Sequence, residues 1–164
     1  MQIIKAGIDD VEELAALADI IWHQHFRGII SDEQIEYMIE NFQSQKAMTN
    51  QLLNMGYEYY FFNVDGENQG YFAIQEQREE NLMFISKVYL KKEFRGRGYA
   101  RKAFEFIENE AKNRGLKKTR LTVNRHNDDT IAIYKKLGMY IADEKAADIG
   151  NGFVMDDYIF EKDL

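Results

Sequence analysis

The chain is predicted to be an α/β domain with a sheet of mixed strand direction. Three observations carry this. Apolar residues recur at spacings of three and four in three separate stretches, β-branched and aromatic runs lie between them, and no linker interrupts the order. There is no proline, no Ser/Gly tract and no repeating period, so residues 1–164 are expected to form one domain.

Gln2 to Lys5 reads as a short strand. Asp9 is then expected to cap a helix whose apolar side carries Leu14, Leu17, Ala18, Ile21 and His25, ending at Gly28. Ser31 starts a second helix, with Ile35, Met38, Ile39 and Phe42 along one side, and a short third helix covers Gln45 to Leu53. Tyr57 to Val64 is aromatic and β-branched. Asp65-Gly66 signals a hairpin into a strand over Gln69 to Gln77, and Leu82 to Leu90 is a further strand. Ala100, Ala103, Phe104, Ile107 and Ala111 mark a helix that stops at Gly115. Lys118 to Asn124 is a buried-strand candidate, Asn127 to Leu137 is helical, and strands over Tyr140 to Ala146 and Gly152 to Glu161 close the chain. Hairpins and helical crossovers together imply a sheet of mixed direction.

Composition excludes several classes. With 164 residues, 45% of them apolar, the chain can fill a core, and no apolar run approaches the roughly 18 residues of a membrane span. No cysteine is present and there are three histidines, which excludes thiolate metal sites and a cysteine nucleophile and makes an imidazole-rich metal centre a poor expectation. Without a basic, apolar leader at the N-terminus, the expected location is the cytoplasm. The net charge of -7 is uneven: Met1 to Glu80 holds 4 basic against 15 acidic residues, and Lys87 to Arg125 holds 13 basic against 4 acidic. Solvated faces explain such blocks most simply, and a basic segment that meets an anion is the functional alternative. A nucleic-acid surface is disfavoured by the overall acidity.

The informative stretch is Val88-Tyr89-Leu90-Lys91-Lys92-Glu93-Phe94-Arg95-Gly96-Arg97-Gly98-Tyr99-Ala100, between a strand and a helix. Glycines there let the backbone approach a ligand, and the first N–H groups of the helix bind phosphate oxygens. Arg95, Arg97, Arg101 and Lys102 would add the charge a pyrophosphate needs. A dinucleotide fingerprint would require glycine where Arg101 stands, and a P-loop would require Gly-Lys-Ser/Thr.

Arg95, Gly98 and Ala100 fit Arg-x-x-Gly-x-Ala, which resembles the pyrophosphate loop of the GNAT acetyltransferase superfamily. Downstream, Asn127-Asp128-Asp129-Thr130-Ile131-Ala132-Ile133-Tyr134-Lys135-Lys136-Leu137-Gly138-Met139 is similar to that superfamily's Asn-x-x-Ala-x-x-x-Tyr-x-Lys-x-Gly-Phe signature, with Thr130 and Met139 as departures. The resemblance is best from about Tyr57 onwards. It implies a GNAT-like α/β fold, a mixed, mostly antiparallel twisted sheet flanked by helices, in which neighbouring parallel strands, ending at Leu90 and Asn124, splay to form an acetyl-CoA cleft. Val88 and Leu90 would pair with the pantetheine arm, and Arg95, Gly96, Arg97, Gly98, Tyr99 and Ala100 would hold the pyrophosphate. Asn127 would bond the cofactor arm, Lys136 would reach a phosphate, and Tyr134 would act as the acid that protonates the leaving thiolate.

The general base stays open. Many relatives place a glutamate near the position of Ser86, and serine is no useful base near neutral pH. His23, His25, a carboxylate from the N-terminal half and a water chain are the alternatives.

The resemblance also implies direct attack by an amine in a ternary complex, since no cysteine can hold an acyl group. Trp22, Phe26, Tyr57 and Tyr59 are candidates for the acceptor's walls. The acidic N-terminal half favours a cationic amine, and the run Asn151 to Tyr158 looks somewhat like bacterial spermidine/spermine N-acetyltransferases. Homodimers are common among relatives, and no membrane or nucleic-acid partner is expected. The competing reading is a catalytically inactive acetyl-CoA-binding sensor or partner protein.

Overall fold

The computed structural model describes residues 1–164, and no helix in it is long and apolar enough to cross a membrane. The chain folds as two compact units: Met1–Gln75 with Lys87–Ala103, and Glu76–Ser86 with Phe104–Leu164.

The first unit opens with β1 (Gln2–Ala6), a 3-10 turn over Ile8–Asp10, and α1 (Val11–Phe26). The expected cap at Asp9 moves one residue on. Asp10 is the N-cap, and its carboxylate accepts a hydrogen bond from the Gly7 N–H at 2.8 Å instead of closing the helix end, because the intervening 3-10 turn takes up the entry. Then come α2 (Asp32–Phe42) and α3 (Gln45–Asn54), each started by a serine whose hydroxyl accepts a backbone N–H: Ser31 from Gln34 and Ser44 from Ala47. α1 packs against both, and Leu14, Leu17, Ile21 and Trp22 of α1 are buried together with Ile35, Met38 and Met48.

β2 (Tyr57–Val64) pairs antiparallel with β1 and with β3 (Glu67–Gln77). Tyr59, Tyr60, Phe61 and Phe62 are all buried, as are Tyr71, Phe72, Ala73 and Ile74, so these two strands are covered on both faces. That burial is why their sequences read as continuous apolar runs rather than alternating ones.

β4 (Leu82–Leu90) passes from the second unit into the first, and α4 (Tyr99–Asn113) passes back. In the second unit β4 pairs in parallel with β5 (Lys118–Asn124), and α5 (Asp128–Lys136) leads to the antiparallel pair β6 (Tyr140–Gly150) and β7 (Phe153–Asp163). β7 lies between β5 and β6, and the strand order is β1-β2-β3-β4-β5-β7-β6. α4 buries Ala103, Phe104, Ile107 and Ala111 at the spacings that predicted it. β6 and β7 run several residues further than expected, to Gly150 and Asp163, because Asn151-Gly152 forms a tight turn with both residues at positive φ.

Three of the thirteen basic residues of the block from Lys87 to Arg125 are paired with carboxylates on β6 and β7 or at Glu80 inside the second unit. Arg120 bonds Glu161 at 2.7 Å and also Glu80, Lys118 bonds Glu161 at 3.0 Å, and Arg125 bonds Asp156 at 3.1 Å and Glu144 at 3.3 Å.

Candidate active site

The residues expected to handle the cofactor divide between the two units. Val88, Leu90 and the loop from Arg95 to Ala100 lie in the first, and Asn127, Tyr134 and Lys136 lie in the second.

In the first unit, β4 emerges beside β3 at an unusually close approach. A Cβ built on Gly70 would stand 2.3 Å from the Tyr89 carbonyl oxygen and 2.9 Å from Leu90 Cα, so only glycine fits. Past Leu90 a 3-10 turn over Lys92–Phe94 leads into the loop. Gly96 and Gly98 both take the left-handed conformation, at φ 76° and 79°, with open space where a side chain would be. Gly98 then begins the helical hydrogen bonding, accepting from Lys102 N–H at 3.2 Å. The result is a backbone cradle that leads into the N-terminus of α4.

Two arginines are already engaged. Arg95 is exposed overall but donates through Nε to the Leu90 carbonyl at 3.0 Å, and desolvation of the guanidinium there pushes its pKa down from the ordinary arginine value despite the opposing charge of Glu93. Arg97 donates to the Glu93 carbonyl at 3.0 Å and lies over the Phe94 ring at 5.1 Å. The Leu90 oxygen therefore already has one donor.

The β4–β5 ladder joins Leu82, Met83, Phe84 and Ile85 to Lys118, Thr119, Arg120 and Leu121. β4 continues to Leu90 and β5 to Asn124, past the last of these pairs.

In the second unit, α5 starts at Asn127. Its N–H bonds the Asn124 carbonyl at 3.0 Å, its own carbonyl accepts from Ile131, and the residue is buried. Tyr134 is half-buried between Phe104 and Phe160, with ring centroids at 5.6 and 6.0 Å. Burial pushes its phenol pKa upward, so the group stays protonated through neutral pH and is suited to donating rather than accepting a proton. Lys136 is exposed in the last turn of α5.

The four aromatic wall candidates separate on burial. Tyr57 is half-buried. Phe26 is 8% exposed and stacks on Trp22 at 4.2 Å, with Tyr89 5.5 Å from Trp22. Trp22 and Tyr59 depart from the expectation because they are core residues, 2% and 0% exposed. Tyr59 is held there by its hydroxyl, which donates to Gln51 Oε1 and accepts from Lys87 at 2.6 Å.

Lys87 is a buried polar group that the charge pattern assigned to a solvated or anion-binding segment. Its ammonium is buried and reaches the Phe42 carbonyl at 2.7 Å, Gln51 Oε1 at 2.9 Å and Tyr59. Burial without a carboxylate pushes its pKa well below the ordinary lysine value. The signal in the sequence was register: Lys87 shares a strand face with Ile85 and Tyr89.

Of the base candidates, His23 bonds the Asp19 carbonyl at 2.6 Å and also Glu36. The first of these contacts, then the second, raises its pKa and favours the protonated form, which works against a base. His25 lies edge-on to Phe26 at 4.8 Å.

Comparison with known proteins agrees with this architecture. The Acetyltransferase (GNAT) family profile matches residues 14–139. An uncharacterized N-acetyltransferase in the pepI 3' region of Lactobacillus delbrueckii subsp. lactis is 25% identical over 145 residues, covering 85% of this chain and 84% of that one. Spermidine N(1)-acetyltransferase of Thermoplasma acidophilum is 25% identical over 150 residues, covering 90% and 93%. The crystal structure of paia N-acetyltransferase from Thermoplasma acidophilum in complex with coenzyme A superposes with a TM-score of 0.79 at 24% identity over 99% of this chain and 98% of that one. With the profile spanning most of its length, this chain belongs to the GNAT acetyltransferase family and is an N-acetyltransferase.

Proposed function

We propose that the chain moves the acetyl group of acetyl-CoA to a primary amine by direct attack in a ternary complex, with a cationic small molecule such as a polyamine as acceptor. The observation that carries the cofactor half is the loop Arg95 to Ala100, where two left-handed glycines open an N-terminal helical turn between arginines. The same fold in a protein crystallised with coenzyme A supports that reading, and similarity to a spermidine acetyltransferase supports the acceptor class.

In this reading Gly96, Arg97, Gly98, Tyr99 and Ala100 take the pyrophosphate, with Arg95 adding charge from its anchor on Leu90. The edge of β4 at Val88 and Leu90 receives the pantetheine arm as an added strand. Asn127 bonds that arm, and Lys136 reaches a phosphate. Tyr134 gives its phenolic proton to the departing thiolate. Tyr57 and Phe26 supply aromatic surface to the acceptor. The chain acts as one acetyltransferase domain, since β4 and α4 each run from one compact unit into the other, and its proposed place of action is the cytoplasm.

The test is release of free thiol from acetyl-CoA across a panel of amines that includes spermidine, with the native chain and Tyr134→Phe compared. A signal that depends on one amine class and falls about ten-fold or more in the variant supports the reading. Binding of acetyl-CoA without thiol release from any amine would replace it with a cofactor-binding protein.

A further inference from the structure

The proton lost by the attacking nitrogen needs an acceptor, and Ser86 provides none. Asp157, on β7, has the properties the role requires. It is 9% exposed, and its Oδ1 is buried with no hydrogen-bond partner. An unmatched buried carboxylate oxygen is costly, and folded proteins retain few of them. A ligand rich in N–H donors would satisfy it, and an ammonium group has three such donors and the complementary charge.

Position adds to this. Asn124 and Asp157 are the last cross-strand pair of the β5–β7 ladder. Asn124 opens the turn into α5 with its carbonyl bonded to Asn127 N–H, so Asp157 stands one strand away from the start of the helix that carries Tyr134.

We propose that the Asp157 carboxylate receives the ammonium end of the acceptor and takes a proton from its nitrogen as the new amide bond forms. This rests on the amine-acetylating function proposed above. The bound ammonium first loses one proton to solvent. The free amine then attacks the thioester carbonyl, and the N–C bond forms while Asp157 takes the second proton. The C–S bond breaks, and the thiolate takes the Tyr134 proton. Asp157 returns its proton to water and Tyr134 regains one, which leaves the amide, free coenzyme A and one net proton released.

The charges that act on Asp157 suit the task. Burial raises its pKa to about 6, Asp156 beside it adds to the rise, and Lys145, its register partner on β6, opposes it. Asn124 faces it from β5 without charge, and Asp156 is itself tied to Arg125. The group is mostly ionised at pH 7 yet more basic than an ordinary aspartate.

The experiment compares the native chain with Asp157→Asn and Asp157→Glu, using spermidine and a panel of primary amines. Native kcat/KM for the amine should rise with pH through about 6. Asp157→Asn should lose about 100-fold or more and show no such limb, while its Kd for acetyl-CoA by calorimetry stays within about two-fold. Asp157→Glu should keep an ionising limb and recover part of the rate. Asn at this position with activity within about three-fold and the limb intact overturns the proposal, as does a native profile flat around pH 6. If the native chain acetylates no amine, the proposed function itself fails and this inference falls with it. An active native chain with an equally active Asp157→Asn sinks the inference alone.

Discussion

Removing the buried charge of Lys87 should cost almost nothing, while removing the neutral Gln51 should cost several kilocalories. The reason lies in what each substitution leaves unpaired. Lys87 Nζ donates to the Phe42 carbonyl, Gln51 Oε1 and Tyr59 Oη. In Lys87→Met all three oxygens keep another bond: Gln51 Nε2 still donates to Phe42 O at 3.2 Å, and the Tyr59 hydroxyl still donates to Gln51 Oε1. Methionine fills a similar volume and removes the penalty of an ammonium buried without a counter-ion, so the change in stability at pH 7 should stay within about 1 kcal/mol. Gln51→Leu also keeps volume, but it strands the Tyr59 hydroxyl proton and one of the three Lys87 donors in the interior. At about 1–3 kcal/mol for each orphaned group, the cost is about 2–6 kcal/mol.

The pH dependence has a definite sign. A lysine with a folded pKa below its unfolded value contributes stability that is fully present above the unfolded value, about 10.5, and is lost as pH falls through the folded one. The native chain should therefore gain on Lys87→Met as pH rises towards 10.5. Urea unfolding at several pH values, with m unchanged between variants, measures both effects. A Lys87→Met cost above about 2 kcal/mol together with a Gln51→Leu cost below about 1 would refute the reasoning.

Three further outcomes are expected. Gly70→Ala drives a methyl into the Tyr89 carbonyl and should destabilise by about 1–3 kcal/mol or more, read as a lowered urea midpoint. Gly98→Ala meets no steric neighbour but must hold φ near 79°, a cost of about 1–2 kcal/mol, so calorimetry should give an acetyl-CoA Kd raised about ten-fold. Asp157, whose folded pKa of about 6 exceeds its unfolded 3.8, contributes stability present below 3.8 and lost as pH rises through 6. After allowance for solvent screening, Asp157→Asn should be more stable than the native chain by about 1–2 kcal/mol at pH 7.5, and level with it at pH 4 in thermal melts.

The sequence was most legible where one physical signal dominated. β2, β4 and β5 fall at the expected residues because β-branched or aromatic runs there are bounded by Gly56, Asp65-Gly66, Asn81 and Leu116-Lys117. The loop and α5 were readable because glycine positions and the Asn127 to Gly138 spacing survive without tertiary context. Long-range pairing was not readable. Strand register places Lys87 on the face of Ile85 and Tyr89, but nothing local supplies its partners Gln51, Tyr59 and the end of α2, and nothing local says that Lys118 and Arg120 meet Glu161 some forty residues on. The same limit drew Tyr59 into an expected substrate wall, since a tyrosine's letter does not reveal that its hydroxyl is already held on both sides.

Lys87 and Asp157 are the two buried ionisable groups whose roles separate on hydrogen-bond satisfaction alone. Each sits on a strand, each is taken from water, and burial shifts each pKa toward the neutral form. Lys87 has an oxygen for every proton it can donate, so its neighbours define its geometry completely and a ligand would have to break existing bonds to engage it. That is the condition of a residue that fixes α2 and α3 onto β4. Asp157 keeps a buried oxygen unmatched, so the folded chain bears a cost that a donor-bearing ligand removes on binding. Such an arrangement persists under selection when the group does something that a satisfied one could not, which is why stability and activity are expected to move in opposite directions at this one residue.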